Sequence, residues 1–230
     1  MMLLVPYHAD VVMERVPLAN WVIMAVTVAV SLWGFSAPSS FDTYSFLSEP
    51  TTFDAMVLTG WGVTGLFGHL FLHSNWLHLL GNMVFLFVFG NAICAKVGNL
   101  WFPFVYLGLG LIAAVTHLLF DGRPSLGASG AINGMVAMFL VYYPVNEVSF
   151  LWWFIIRAGT FAVSSAWAIL MWFAFDLWGA LGGGGNVAYV AHLGGFFAGF
   201  GLASALLLSD LVPTDRGEQS IYEALKERFR

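Results

Sequence analysis

Apolar residues recur along the chain in runs of about twenty, separated by short clusters of glycine, proline and polar residues. A run of this length with few charges is long enough to cross the hydrocarbon core of a bilayer as a helix. The pattern predicts six membrane spans, at about 21–35, 77–95, 100–120, 129–143, 158–178 and 188–208. The first run is short for a crossing, so its helix is expected to begin a few residues earlier or to tilt little.

Three connections between these spans stand out. Residues 36–68 form a long loop that contains Pro38 and Pro50, and a loop of this length is usually functional or lies at the membrane surface. Residues 145–157 mix tryptophans with polar side chains, which favours a segment in the membrane interface over a further crossing. Residues 179–186 contain four consecutive glycines, Gly182 to Gly185.

The composition agrees with a polytopic membrane protein. Hydrophobic residues make up 60% of the 230 residues and charged residues only 9%, against about 25% charged residues in soluble domains. We therefore predict an all-α fold, a single six-helix membrane domain over residues 20–209, with tails at 1–19 and 210–230. The net charge of −5 argues against a nucleic-acid partner, because no basic stripe is present to neutralise phosphates. Cys94, the single cysteine, lies in an apolar helix and is expected to be an inert packing residue.

Lysine and arginine predict the orientation in the membrane, because cytoplasmic loops accumulate them. Six crossings place both termini on one side, and only Arg123 falls on the other side. Both termini are therefore expected in the cytoplasm, and the N-terminal residues lack the features of a cleavable signal peptide. In the C-terminal tail, Ile221, Leu225 and Phe229 at a spacing of four indicate either an amphipathic surface helix or a frayed, solvated end. The basic residues on the terminal side are Arg15, Lys96, Arg157, Arg216, Lys226, Arg228 and Arg230.

Four polar residues lie inside the predicted spans at similar depth. His78 and Asn82 share one face near the start of the second span, because they are four residues apart. Ser129 begins the fourth span, and His192 lies about one turn into the sixth. The second, fourth and sixth spans all run inward, so the four side chains are expected near the extracytoplasmic surface. Polar side chains in a bilayer are costly, and each indicates a functional site.

These residue types suit nucleophilic catalysis. A serine hydroxyl becomes nucleophilic when a base accepts its proton, and histidine can act as that base. The oxyanion that forms needs preorganised donors, which His78, Asn82 and a backbone amide can supply. The alternative reading of Ser129 is a packing serine, since it stands among small residues over 127–134.

Other polar and small residues near these four suggest supporting or structural roles. Asp176 lies at a suitable depth in the fifth span but could face the interface, so a Ser129–His192 dyad is favoured over a triad. His69 and His73 share a helical spacing, but no carboxylate or cysteine accompanies them, so we expect no metal. His117 is expected to be a packing residue. A pair of glycines four residues apart in the sixth span is expected to bring that span close to another helix, the one carrying Ser129; they are Gly195 and Gly199.

The chain resembles the rhomboid intramembrane serine proteases in three motifs. Residues 127–130 read Gly-Ala-Ser-Gly, for the family's Gly-x-Ser-Gly, and residues 191–195 read Ala-His-Leu-Gly-Gly, for its Ala-His-x-Gly-Gly. The third is the histidine and asparagine series that leads into the second span, His69, His73, His78 and Asn82. The resemblance covers about residues 60–205, in the family's order.

The resemblance implies a role for each matching residue. Ser129 would be the nucleophile, His192 the general base, and His78, Asn82 and the Ser129 amide the oxyanion donors. His69 and His73 match positions that are structural in the family. Four glycines near the site, and the asparagine four residues after Ser129, would have structural roles; they are Gly127, Gly130, Gly195, Gly199 and Asn133.

Two positions depart from the family's pattern. Many members carry a tyrosine four residues after the serine, whose ring stacks on the catalytic histidine, but this chain has Asn133 there. A Trp-Arg pair of the first loop is also missing, and residues 62–65 read Gly-Val-Thr-Gly instead. The orientation of His192 must therefore come from another group.

The resulting expectation is a serine endopeptidase that cleaves single-span membrane proteins in or near their transmembrane segments, without metal or other cofactor. The fifth span and the glycine run are expected to move when substrate enters from the bilayer. A compact chain of this kind suggests a bacterial inner membrane. Two alternatives remain, a non-catalytic relative that binds membrane clients and a transporter. A transporter would need polar residues through the whole membrane depth, which the inner halves of these spans lack.

Overall fold

A computed structural model describes residues 2–36, 56–182, 187–212, 214 and 218–229. Within them, β1 covers Met2–Ala9, α1 Leu18–Ser36, α2 Val63–Gly68 and α3 Trp76–Val97. They continue with α4 Phe102–Phe120, α5 Ser129–Tyr142, β2 Glu147–Phe154 and β3 Arg157–Ser164. The last elements are α6 Ser165–Gly182, α7 Tyr189–Leu208 and α8 Ile221–Arg228. Most of the long first loop and Gly183 to Gly185 lie outside the described residues.

Five of these helices are long and apolar enough to cross a membrane: α1, α3, α4, α6 and α7. The remaining apolar helix, α5, has 14 residues and is therefore about 21 Å long. A length of about 30 Å is needed to span the hydrocarbon core, so the prediction of six full crossings is not confirmed. The prediction that the first span begins before Trp21 is confirmed, because α1 begins at Leu18.

The described residues are mostly helical, but the prediction of an all-α fold missed a three-stranded antiparallel sheet in the order β1-β2-β3. The segment 145–157, expected as an interfacial stretch, supplies all of β2 and the first residue of β3. The first seven residues of the predicted fifth span, 158–164, belong to β3, and α6 starts only at Ser165. Aromatic and β-branched residues dominate this segment and favour strands once a partner strand is present. That partner is β1, in a stretch that was expected to be a tail.

The short helix α5 forms the centre of the bundle, and twelve of its 14 residues are buried. Its neighbours approach closely because several contact positions are glycine. A Cβ atom on Gly195 of α7 would lie 1.9 Å from the carbonyl oxygen of Gly130, and one on Gly199 would lie 1.9 Å from that of Gly134. Helices α5 and α7 therefore pack backbone against backbone, with no space for a side chain between them.

A π-helical turn, Leu86–Gly90, widens α3 at its middle. The buried Asn20 of α1 donates hydrogen bonds from its amide to the Leu86 carbonyl, at 2.9 Å, and to Asn91 Oδ1, at 2.8 Å. Gly90 leaves room for this side chain, since a Cβ there would lie 2.8 Å from Asn20 Oδ1. A polar side chain from α1 thus supplies hydrogen bonds to α3 where the regular backbone hydrogen bonding of that helix is disturbed.

Of the two possibilities for the C-terminal tail, the structure shows a helix, α8, over 221–228. Ser220 caps it, and Glu223 completes a capping box by accepting a hydrogen bond from the Ser220 amide. Just before it, Glu218 forms an ion pair with Lys96 at the end of α3. The tail is therefore attached to the end of the bundle opposite Ser129.

Candidate active site

Ser129 is the first residue of α5, and the loop before it has a tightly determined shape. Gly127 adopts a φ of +121°, a conformation that side-chain-bearing residues rarely take. Its amide donates a hydrogen bond to the His69 carbonyl at 2.8 Å. A Cβ on Gly127 would also lie 2.8 Å from the His78 ring, so that ring covers the loop directly. Glycine is required here both by the backbone angle and by the imidazole.

The structure brings Ser129 and His192 together. His192 lies in the first turn of α7, and its Nε2 is 2.9 Å from Ser129 Oγ. The imidazole is largely buried, with 12% of its side chain exposed. The close packing of α5 on α7 sets this distance, because each glycine contact fixes the separation of the two backbones just below the pair.

Asp176 of α6 completes the row of polar groups. Its Oδ1 lies 3.0 Å from His192 Nδ1, so of the two orientations left open for Asp176 it faces the imidazole and not the interface. Because a carboxylate oxygen only accepts, Nδ1 carries the proton and Nε2 is the nitrogen that can accept one from Ser129. A hydropathy pattern gives the depth of Asp176 but not the rotation of its helix, and the rotation turns it toward His192.

His78 and Asn82 lie on the first two turns of α3, whose N-terminus Asn75 caps by accepting from the His78 amide at 2.9 Å. The Ser74 amide donates to His78 Nδ1 at 3.5 Å, which leaves the proton on Nε2, the ring nitrogen next to Gly127. Asn82 donates from its amide to the His78 carbonyl at 2.9 Å and retains a second N–H. Both side chains thus keep a donor at the serine end of the bundle.

His69 and His73 are buried in the polypeptide that leads into α3. His69 Nδ1 lies 2.8 Å from the Gly65 carbonyl oxygen, while its own carbonyl holds the Gly127 amide. His73 Nδ1 lies 3.0 Å from Ser31 Oγ of α1, and since Ser31 donates to the Phe71 carbonyl, His73 must donate to Ser31. Burial lowers the pKa of His69 to about 4 and that of His73 to about 3. The two side chains tie the segment before α3 to α1 and to the serine loop.

These depressed pKa values predict loss of stability in mild acid. Below pH 6.5 the unfolded chain takes up protons that buried His69 and His73 do not, so the free energy of unfolding falls as pH falls. The slope is about 1.4 kcal/mol per pH unit for each histidine, down to about pH 4 and 3. His73→Asn keeps a donor for Ser31 and removes one titrating group. Its thermal unfolding midpoint should therefore depend less steeply on pH between 7 and 5.

An exposed histidine of β1, His8, supplies the control for that experiment. We expect His8→Asn to retain the wild-type slope of unfolding midpoint against pH. Equal slopes for wild type and His73→Asn would contradict the assignment of acid sensitivity to His73.

Two further residues have clear places near the site. Asn133, where the family often has a stacking tyrosine, donates from its amide to the Ser129 carbonyl at 3.0 Å, within its own helix. His117, expected as a packing residue, has its Nε2 2.8 Å from the Arg123 carbonyl oxygen. It therefore fixes the turn that leads from α4 to the serine loop. No sequence signal distinguished this role from simple packing.

Within the described residues, no group of three or more histidine, cysteine, aspartate or glutamate side chains is arranged to hold a metal ion. His69 and His73 each have a hydrogen-bond partner from the protein at Nδ1. The polar side chains near Ser129 are linked to one another by hydrogen bonds.

Comparison with known proteins places this geometry in a family. The rhomboid domain family matches residues 60–209. Rhomboid-like protein 11, chloroplastic, of Arabidopsis thaliana is 32% identical over 141 residues, which are 56% of this chain and 47% of that protein. Rhomboid protease GluP of Bacillus subtilis is 30% identical over 135 residues, 59% of this chain and 24% of that protein.

A zebrafish relative extends the match further along the chain. Presenilin-associated rhomboid-like protein A, mitochondrial, of Danio rerio is 29% identical over 181 residues, 75% of this chain and 43% of that protein. The chain spans less than half the length of these curated relatives. The matched region contains the serine loop, α7 and the histidines before α3, and the chain belongs to the rhomboid family of membrane proteins.

Proposed function

We propose that this protein is an intramembrane serine endopeptidase in which Ser129 is the nucleophile and His192 the general base. The observation that carries the proposal is the 2.9 Å distance between Ser129 Oγ and His192 Nε2, in a chain of the rhomboid family. A hydroxyl and an imidazole nitrogen at this distance can exchange a proton directly. One relative, rhomboid protease GluP of Bacillus subtilis, is a protease by name, which supports the same reaction class.

The reaction needs only groups that the chain supplies. Ser129 Oγ attacks the scissile carbonyl carbon while His192 Nε2 takes its proton, and the same proton then goes to the leaving amine. The resulting acyl-enzyme ester is hydrolysed by water, with His192 again acting as base. We assign the oxyanion donors to His78, Asn82 and the Ser129 amide, which as the first N–H of α5 has no acceptor within its helix.

The substrates we propose are single-span membrane proteins, which reach the serine from within the bilayer. The helix α6 is the proposed entry point, since its buried residues all lie in its first five positions. We further propose a multi-pass arrangement with both termini in the cytoplasm, which the distribution of lysine and arginine supports.

A direct test reconstitutes the full chain in phospholipid vesicles with a model single-span substrate. We expect two cleavage products, and covalent labelling of the enzyme by a fluorophosphonate probe that maps to Ser129. EDTA should leave the cleavage rate unchanged, because no proposed step uses a metal. A stable complex with intact substrate and no labelling would contradict the proposal and favour the non-catalytic client binder.

A further inference from the structure

The outer half of α6 lies against α7 through three residues spaced three apart. The ring of Phe173 is 4.7 Å from that of Phe196, measured between centroids. One turn further, Asp176 meets His192, and one turn beyond that Gly179 meets Tyr189. The spacing places all three contacts on one face of the helix.

This half of α6 is lightly held compared with the rest of the bundle. The buried residues of α6 are Ser165, Ala168 and Ile169, all in its first five positions. The aromatic side chains further along, Phe175 and Trp178, are 63% and 80% exposed. A segment with few buried contacts opens at low free-energy cost, so the outer half of α6 can separate from α7 while its base stays packed.

Two of the three contacts act on the imidazole of His192. Asp176 holds Nδ1 directly, at 3.0 Å. Gly179 acts through Tyr189, whose ring stands edge-on to His192 with centroids 6.2 Å apart. A Cβ on Gly179 would lie 2.5 Å from the Tyr189 ring, so a side chain at this position would displace the far end of that ring, which stands beside His192.

Asn133, one turn after Ser129, donates to the Ser129 carbonyl within its own helix. The groups that orient His192 therefore come from its own helix, as Tyr189, and from the neighbouring helix α6, as Asp176. Because Asp176 belongs to another helix, the His192 ring loses part of its orientation when that helix moves.

We propose that Asp176 is a positioning residue for His192, and that docking of the outer half of α6 on α7 is required to assemble the active site. This inference rests on the proposed function and deepens it. When α6 moves away to admit a transmembrane substrate, Asp176 leaves His192, and the base is oriented again only when α6 returns. Cleavage is thereby confined to the closed state that has substrate bound.

The first experiment compares Asp176→Asn and Asp176→Glu with wild type in the vesicle assay. Asparagine keeps the shape but can stabilise the wrong imidazole tautomer, as in the serine protease triad, so we expect kcat to fall about 10²-fold or more with KM nearly unchanged. Glutamate keeps the carboxylate and should recover part of the rate. A role in folding alone would instead lower the unfolding midpoint and leave kcat per folded molecule unchanged.

The second experiment tests whether docking of α6 delivers Asp176. Gly179→Ala places a methyl group against Tyr189 and should lower kcat, whereas Gly182→Ala, in the same helix and with no atom of the described residues within 4 Å of its Cβ, should not. If both changes act through loss of the Asp176–His192 contact, the double variant Asp176→Asn/Gly179→Ala should be no slower than the slower single variant. If the reduction in kcat of the double variant is instead the product of the two single reductions, the two residues act independently and the proposed coupling is wrong.

Different results would contradict the protease function and the positioning role of Asp176. A wild-type chain that neither cleaves substrate nor reacts with the fluorophosphonate contradicts the protease function. A wild-type chain that cleaves, with Asp176→Asn cleaving at the same kcat, leaves that function in place and overturns the positioning role of Asp176.

Discussion

Ser129→Ala should abolish cleavage of a single-span substrate in reconstituted vesicles, with kcat at least about 10⁴-fold below wild type. The reason is that alanine removes the only atom that can form the acyl-enzyme in the proposed reaction. The backbone should tolerate the change, because Ser129 is the first residue of α5 and is flanked by Ala128 and Gly130. The rate is measured by product formation on gels and by mass spectrometry of the products.

The matched control is Ser125→Ala, four residues earlier in the same loop. Ser125 pairs with Leu58 through backbone hydrogen bonds of 2.9 and 3.0 Å, which alanine preserves. We expect this variant to cleave at the wild-type rate. Residual cleavage by Ser129→Ala within tenfold of wild type would show that another group is the nucleophile.

Gly199→Ala should be strongly destabilising, because the added methyl group would lie 1.9 Å from the Gly134 carbonyl oxygen. Backbone atoms on both sides leave nothing flexible to move, so α7 must shift away from α5. Overpacking of this kind costs about 1–3 kcal/mol or more, which exceeds the gain of about 1 kcal/mol from replacing a helical glycine by alanine. We expect a thermal unfolding midpoint at least about 5 °C lower in detergent.

Gly201→Ala is the control for that substitution. Gly201 lies two residues further along α7, and a Cβ atom added there would have no neighbour within 4 Å among the residues that the structure describes. Its midpoint should equal or exceed that of wild type, because only the helix propensity changes. If Gly199→Ala unfolds at the wild-type temperature, the backbone-to-backbone packing of α5 on α7 is not what holds the two helices.

The membrane spans could be predicted from the sequence because hydrocarbon imposes one requirement on every residue of a crossing helix. The apolar runs placed the helices to within a few residues, apart from the fifth. There the start was wrong by seven residues, since 158–164 pairs with β2 as a strand. The backbone groups of a strand are hydrogen-bonded to a segment that is distant in the sequence. No pattern in residues 2–9 indicates that they pair with 148–154.

The proposed site was predicted in part for a similar physical reason. Depth in the membrane follows from position along a span, and depth alone placed Ser129, His192, His78 and Asn82 at one level. The Ser129–His192 distance depends in addition on how closely α5 and α7 approach, which the four-residue glycine spacing indicated. Asp176 could not be assigned in this way, because hydropathy does not give the rotation of a helix that is apolar on all sides.

The sequence by itself determined the membrane class, the helices and the residues that can carry the chemistry, because each follows from local composition and spacing. Only the tertiary structure decided that a sheet joins residues 2–9 to 147–164, and that His192 is oriented by Asp176 and Tyr189 in place of a ring at Asn133. The sheet pairing and the Asp176–His192 hydrogen bond join residues of different elements. The Tyr189–His192 contact lies within one helix and depends on the side-chain rotamers. They depend on how helices rotate and strands pair, which no local pattern records.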